Sequence, residues 1–120
     1  MEQKTIKFGK NLVSTKECLA EGHNFCTGCG EALAIRLACK ALGENVIIAM
    51  ATGCDEVCTT PLPYTSWRVP WIHTLFENAA AEISGTEAGL KILMKKGRIS
   101  ERDIKCVAMA GDGGTSDIGI

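Results

Sequence analysis

The residues of this chain best suited to metal binding or redox chemistry are its cysteines, and its 120 residues contain seven of them. Cys26 and Cys29 are separated by two residues, with Gly28 and Gly30 beside them. Thiols with this spacing bind zinc, bind an iron–sulfur cluster or act as a redox dithiol. A thioredoxin-like dithiol is disfavoured, because that motif normally follows the first strand of its own βαβ unit.

Two further thiols extend this motif. Cys54 ends the segment Ala51-Thr-Gly-Cys54, and Cys58 follows one helical turn later. Four thiolates would close a tetrahedral zinc site, and spacing alone leaves that alternative open beside an iron–sulfur cluster. The remaining three cysteines are interpreted as small buried apolar residues: Cys18, Cys39 and Cys106.

A second motif, Gly111-Asp-Gly-Gly114, follows an apolar run. Its glycines would let the backbone approach a phosphate, which the N-terminus of a following helix attracts. The Asp112 carboxylate would suit the magnesium ion that accompanies such a phosphate. The motif lacks the Gly-x-Gly-x-x-Gly spacing of dinucleotide sites, and a purely structural turn is an equal alternative.

Helix and strand signals around these motifs predict an α/β fold. Good helix formers followed by Gly43 predict a helix over residues 30–42. The wholly apolar run 46–51 predicts a strand buried on both faces, and residues 105–110 predict a second. Apolar residues at helical spacing predict a long helix from residue 76 or 77 to 96. The order predicts a parallel βαβ unit with a right-handed crossover.

Parallel strands place their carboxyl ends at one edge, where ligands of open α/β sheets bind. Cys54 and Asp112 follow the two predicted strands and should therefore face the same crevice. Residues 53–56 are predicted as a loop, and a helix is predicted to begin at Thr115. Residues 61–71 hold all three prolines, so they predict an irregular aromatic segment packed on a partner surface or over a site.

Composition restricts the class of protein. The formal net charge is −1, and no basic run argues for a nucleic-acid or membrane partner. The longest apolar run is far too short to span a bilayer, and the N-terminus lacks the apolar segment of a signal peptide. A cytoplasmic location follows as an expectation, and there thiols stay reduced.

Taken in order, the motifs resemble the thiamine-diphosphate-binding beta subunits of 2-oxoacid:ferredoxin oxidoreductases, and most closely the pyruvate type. The resemblance covers the chain from residue 20 to its end. The matching segments are residues 22–31, 51–54, 63–73, 75–80 and 111–119.

The resemblance implies roles for individual residues. Three thiolates match ligands of a 4Fe–4S cluster, namely Cys26, Cys29 and Cys54. The positions that match the thiamine pocket are Glu31, Thr52, Gly53 and Cys54. The diphosphate loop matches Gly111, Asp112, Gly113 and Gly114, with Asp112 on Mg²⁺. No catalytic residue is assigned: His73 is interpreted as a packed or interface histidine, and neither Glu77 nor Glu82 is taken as the glutamate that activates the cofactor.

The implied function is coenzyme A-dependent oxidative decarboxylation of a 2-oxoacid, most closely pyruvate, with electrons passing through the cluster to ferredoxin. The implied partners are the other subunits of the complex, of alpha, gamma and delta type. The chain is expected to be one domain over residues 1–120, with an extended arm (1–21) and a cluster- and cofactor-binding core (22–120). Members of this family are longer than the 120 residues of this chain. We therefore expect this chain to be the N-terminal portion of a longer subunit, or a split or truncated chain that needs the rest in trans, and we expect the fourth cluster cysteine to lie outside it.

Overall fold

The computed structural model describes residues 15–61 and 63–119. In chain order their helices and strands are α1 (Gly30–Leu42), β1 (Val46–Ala51), α2 (Cys54–Thr59), β2 (Trp71–Thr74), α3 (Ala79–Lys95), β3 (Lys105–Met109) and α4 (Asp112–Ser116). None of these helices is long and apolar enough to cross a membrane.

The three strands form one parallel sheet in the order β2-β1-β3. Val46 of β1 pairs with Lys105 of β3, and Ile48 pairs with Trp71 of β2. The α3 helix contacts both β1 and β3. The predicted α/β class with a parallel βαβ core is therefore confirmed, and β1 is its central strand.

β1 divides the core between the two faces of the sheet, because successive strand residues point to opposite sides. Val46, Ile48 and Met50 are buried on one face with Ile35 and Cys39 of α1. On the other face Ala49 and Ala51 pack with Ala79 and Ile83 of α3. The small alanines let α3 approach the sheet closely, and the continuous apolar run of β1 is explained by burial on both sides.

The sequence prediction missed two elements, α2 and β2. Residues 54–56, predicted as part of a loop, belong to α2 (Cys54–Thr59). The backbone bonds of this helix are reinforced by the Thr59 hydroxyl, which donates to the Asp55 carbonyl at 2.6 Å. The segment predicted to be irregular ends in β2. Pro70 precedes this strand and lacks an N–H, but its carbonyl accepts the Ile48 N–H at 3.0 Å, so the ladder with β1 begins there.

Element boundaries moved at two other places. α3 begins at Ala79 rather than residue 76 or 77, because Asn78 takes the N-cap position and accepts a hydrogen bond from the Thr74 hydroxyl at 2.5 Å. α4 begins at Asp112 rather than Thr115, so the glycine-rich motif lies within the first turn of a helix. β3 is half-buried rather than buried, as an outer strand of the sheet.

The described end of the predicted arm packs into the core. Cys18 and Leu19 are buried, and Leu19 forms an isolated antiparallel bridge with Trp67. The Trp67 indole is also buried and donates to the Thr59 hydroxyl at 3.0 Å. This tryptophan therefore belongs to the core of the chain, whereas Tyr64 of the same aromatic segment is exposed. Residues 1–14 of the predicted arm lie outside the described residues.

Candidate functional site

The carboxyl ends of the three strands meet at one edge of the sheet. Ala51, the last residue of β1, pairs with Thr74, the last residue of β2. On the other side Met50 pairs with Met109, which ends β3. The turns that lead to Cys54 and to Asp112 therefore start from the same edge, as the sequence predicted.

The cysteine loop that precedes α1 is held against α2. The Cys29 N–H donates to the Cys26 carbonyl at 3.0 Å, and Gly28 completes this turn with a φ of 76°. A residue with a side chain is strained at this φ, so glycine is required there. The Asn24 N–H donates to the Cys58 carbonyl at 2.8 Å. This bond brings the loop beside α2, which carries the other two thiols.

Four thiols share this neighbourhood. Burial raises the pKa of the Cys58 thiol, and the charges of Cys54 and Cys26, followed by those of Glu31 and Cys29, raise it further. Within residues 15–61 and 63–119, no three His, Cys, Asp or Glu side chains converge as the ligands of one metal ion. Thiolates are the donors that iron–sulfur clusters and zinc both accept, so the donor set fits either centre.

Two carboxyl groups meet beside these thiols. Glu31 lies in the first turn of α1 and hydrogen-bonds with Asp55 in the first turn of α2. Burial, the hydrogen bond with Glu31 and the charge of Glu31 raise the pKa of Asp55 to about 7. Its Oδ1 atom is buried without a hydrogen-bond partner. Asp55 thus retains its proton at far higher pH than an isolated aspartate would.

A polar network crosses from β2 to the turn after β1. Thr52 Oγ1 lies 2.8 Å from His73 Nε2 and 3.2 Å from the Thr74 carbonyl oxygen. On the opposite side of the ring, His73 Nδ1 lies 3.8 Å from Glu56 Oε1. The Glu56 carboxylate also accepts a short hydrogen bond from the Thr60 hydroxyl. The predicted cofactor residue Thr52 is therefore joined to a histidine to which the sequence assigned no role.

The four residues of the glycine-rich motif have different surroundings. Asp112 is exposed at the start of α4. A Cβ atom added at Gly111 or Gly113 would meet nothing within 4 Å. One added at Gly114 would lie 2.4 Å from the Phe76 carbonyl oxygen. Gly114 is therefore explained by close packing of α4 on the turn before α3, whereas Gly111 and Gly113 leave open backbone as a phosphate site needs.

The other cysteines behave as apolar packing residues, as predicted. Cys18 and Cys39 are buried and contact each other through their thiols, and burial raises the pKa of Cys39 to about 11. Cys106 is half-buried and packs with the α3 face of the sheet. A thiol with a raised pKa is a poor nucleophile and a poor metal ligand at neutral pH.

The Asn24–Cys58 bond thus places the loop that carries Cys26 and Cys29 beside α2, which begins at Cys54, but in the described part of the chain these thiols do not converge on one metal ion. The turns to Cys54 and Asp112 start from one edge of the sheet. Sequence reasoning missed three polar residues, which are Asp55, Glu56 and His73. Asp55 and Glu56 directly follow Cys54, which was a signal that the site continued into a helix. Nothing in the sequence indicated that His73 would face Thr52, because that contact depends on strand register.

Comparison with known proteins gives a consistent set of relatives. The chain is 56% identical over 105 residues, 87% of its length, to pyruvate synthase subunit PorB of Methanocaldococcus jannaschii. It is 43% identical over 106 residues to PorB of Thermotoga maritima. It is 40% identical over 116 residues to ketoisovalerate oxidoreductase subunit VorB of Pyrococcus horikoshii. The matches cover 35%, 33% and 35% of these relatives, so the chain spans about a third of their length. No family model matches the chain.

Proposed function

We propose that this chain, which belongs to the family of the pyruvate synthase PorB and ketoisovalerate oxidoreductase VorB subunits, is part of a thiamine-diphosphate-binding subunit of a 2-oxoacid:ferredoxin oxidoreductase. The observation that carries the proposal is the common edge of the sheet. The turn to Cys54 and the open glycine backbone before Asp112 both start there. A thiol-bound redox centre would then lie next to a phosphate-bound cofactor.

Cys26, Cys29 and Cys54 would hold a 4Fe–4S cluster as three of its thiolate ligands. Support comes from the turn closed by Gly28 and from the bond between Asn24 and Cys58, which hold the two cysteine segments together. The task of these residues is to fix the position of the cluster. The reduction potential of such a cluster depends on the charges and hydrogen bonds around its sulfurs.

Thiamine diphosphate would be bound at the same edge, and when bound it supplies the electron sink for decarboxylation. Gly111, Gly113 and Gly114 would form the diphosphate loop, and Asp112 would bind Mg²⁺ through its exposed carboxylate. The pocket would also include Glu31, Thr52, Gly53 and Cys54. Glu31 hydrogen-bonds with Asp55, whose raised pKa lets Asp55 hold or release a proton close to the bound group.

The proposed substrate is a 2-oxoacid, and pyruvate is favoured because the matches named pyruvate synthase have the higher identities. Coenzyme A would accept the acyl group, and ferredoxin would accept the electrons. Because the relatives are named as subunits, we expect this chain to act with alpha-, gamma- and delta-type partners. Seven reduced thiols fit a cytoplasmic location.

The test is anaerobic purification of the complete complex and assay with a panel of 2-oxoacids. We expect a brown protein whose broad visible absorption bleaches on reduction by pyruvate and coenzyme A, with ferredoxin reduced in turnover. Bleaching by 2-oxoisovalerate alone would replace the substrate assignment. A colourless complex that reduces no ferredoxin with any 2-oxoacid would refute the proposed function.

A second candidate is a structural zinc module closed by Cys26, Cys29, Cys54 and Cys58. The observation that favours it is the charge interaction of Cys58 with the other three thiols. Cys58→Ser separates the two candidates. The cluster proposal predicts unchanged iron content in this variant, with Cys54→Ser as the control that loses iron. The zinc candidate predicts zinc in the native protein and its loss in Cys58→Ser.

A further inference from the structure

His73 contacts residues on both sides of Cys54 in the sequence. His73 lies in β2, yet its two ring nitrogens face residues of the segment that follows β1. Nε2 is 2.8 Å from the hydroxyl of Thr52, and Nδ1 is 3.8 Å from the carboxylate of Glu56. Thr52 is two residues before Cys54 and Glu56 is two residues after it. One imidazole thus joins the two sides of the turn that carries the cysteine.

The imidazole is held from a third direction as well. Its ring stacks on the indole of Trp71, with a centroid distance of 6.4 Å and an interplanar angle of 28°. Trp71 is two residues earlier in the same strand, so both rings project from the same face of β2. Trp71 itself packs against the buried core. The stacking on Trp71 therefore restricts the orientation of the His73 ring, in addition to its two polar partners.

Burial does not explain this arrangement. The His73 side chain is 44% exposed, whereas the Glu56 side chain is only 14% exposed. An exposed histidine at a strand end has no need of partners in the protein, because water satisfies its nitrogens. Here each nitrogen faces a group that another element supplies. Glu56 lies in α2, and its carboxylate accepts a hydrogen bond from the hydroxyl of Thr60, the C-cap residue of that helix.

The carboxylate on one side of the ring and the hydroxyl on the other set the roles of its nitrogens. A carboxylate beside Nδ1 favours a proton on that nitrogen. In the neutral ring Nε2 then accepts a hydrogen bond from the Thr52 hydroxyl. In the charged ring Nε2 donates to the same oxygen, and the hydroxyl proton is then available for the Thr74 carbonyl. Both forms keep His73 bonded to Thr52, so the contact does not depend on a particular protonation state.

We propose that His73 is a positioning residue for Cys54, holding the Thr52–Glu56 segment so that the Cys54 thiolate meets the bound cluster in a single orientation. The inference rests on the proposed function. It extends that function, because a histidine that is not one of the proposed cluster ligands would control the geometry of the cluster. If this is correct, the electronic properties of the cluster depend on His73, whereas assembly of the cluster does not.

The test uses the complete complex, purified anaerobically, with His73→Phe, His73→Gln and Thr52→Val. Phenylalanine keeps the ring that stacks on Trp71 but has no nitrogen. Glutamine places an amide near the position of Nε2 and should recover the contact with Thr52. The matched control is Ile72→Ala, a partly exposed neighbour on the opposite face of β2. Iron content, the electron paramagnetic resonance of the reduced cluster and its reduction potential are measured for each variant.

We expect full iron content in all variants and an altered resonance in His73→Phe. We also expect up to a tenfold change in the ratio of reduced to oxidised cluster, which is about 59 mV for one electron. The resonance and the potential of His73→Gln should return towards the wild-type values, and Thr52→Val should reproduce the change seen in His73→Phe. The double variant His73→Phe/Thr52→Val should show no larger change than either single variant. If His73→Phe fails to assemble, Glu56→Gln removes the same clamp with little change of shape and is expected to show the same resonance.

Three outcomes would overturn the inference, and only the first would also overturn the proposed function. A wild-type complex with no iron–sulfur signal would overturn both. A wild-type signal that is unchanged in His73→Phe and Glu56→Gln would overturn the inference alone and leave the proposed function in place. A change that appears equally in Ile72→Ala would mean that β2 acts only as a packing element, which also overturns the inference.

Discussion

The last two glycines of the Gly111–Gly114 motif should respond in opposite ways to the same substitution. Gly113 and Gly114 are neighbours in α4, and neither has a positive φ. An added Cβ meets nothing within 4 Å at Gly113 but lies 2.4 Å from the Phe76 carbonyl oxygen at Gly114. Gly113→Ala and Gly114→Ala are therefore a matched pair that differs in packing.

The magnitude follows from this difference. The contact at Gly114 must open by at least 0.6 Å to reach the 3.0 Å below which real Cβ contacts essentially do not occur. The atom opposite is a backbone oxygen, which cannot turn away as a side chain would. Overpacking of this kind costs about 1–3 kcal/mol. Alanine gains about 0.5–1 kcal/mol over glycine within a helix, and this gain is common to both variants. Gly114→Ala should therefore be less stable than Gly113→Ala by about 1–3 kcal/mol.

The assay combines denaturation with ligand binding, both on the complete complex. Urea midpoints should fall in the order Gly113→Ala, wild type, Gly114→Ala. Calorimetric titration with thiamine diphosphate and Mg²⁺ should show weaker binding to Gly113→Ala, because its methyl group occupies backbone that a phosphate would approach. A tenfold loss would correspond to about 1.4 kcal/mol. Equal midpoints for the two variants would refute the packing argument, and wild-type affinity in Gly113→Ala would refute the phosphate role of that glycine.

Three other predictions concern pH and the core. The pKa of Asp55 is about 7, against an ordinary value of 3.8. The folded chain therefore binds the extra proton, and its unfolding free energy should fall between these two values as pH rises; Asp55→Asn should flatten this decline in urea midpoints measured from pH 4 to 8. Hydrogen bonds from Arg36 and Lys40 lower the pKa of Glu17 to about 2 from 4.5, so its contribution should be present above pH 4.5 and lost as pH falls towards 2. Glu17→Gln should remove that acid-dependent loss when urea midpoints are followed downwards from above pH 4.5 towards pH 2. Ile48 is fully buried in β1, so Ile48→Ala should lower the unfolding free energy by about 2–5 kcal/mol in urea denaturation, and a smaller loss than for exposed Ile92→Ala would contradict the central position of β1.

Much of the scaffold was predictable because its signals are local. The bounds of α1 and β1 agree with the prediction, since a run of helix formers ended by Gly43 and a wholly apolar run each satisfy one pattern. α2 and β2 were missed for the opposite reason. α2 has only six residues, and its Thr59 is buried against the Trp67 indole. β2 follows a proline and exists because its backbone bonds complete the exposed side of β1.

By itself the sequence determined the chemical inventory of this protein: the cysteine spacing, the glycine-rich motif, the parallel α/β class and the resemblance to 2-oxoacid oxidoreductase subunits. Tertiary structure decided which side chains meet. Strand register places His73 of β2 beside Thr52, and Glu31 of α1 hydrogen-bonds with Asp55 of α2. It also separated Gly114, which packs on Phe76, from Gly113, which is open. Periodicity assigns residues to faces of an element, but contacts between elements depend on how their backbones align, and that alignment is set by the whole core.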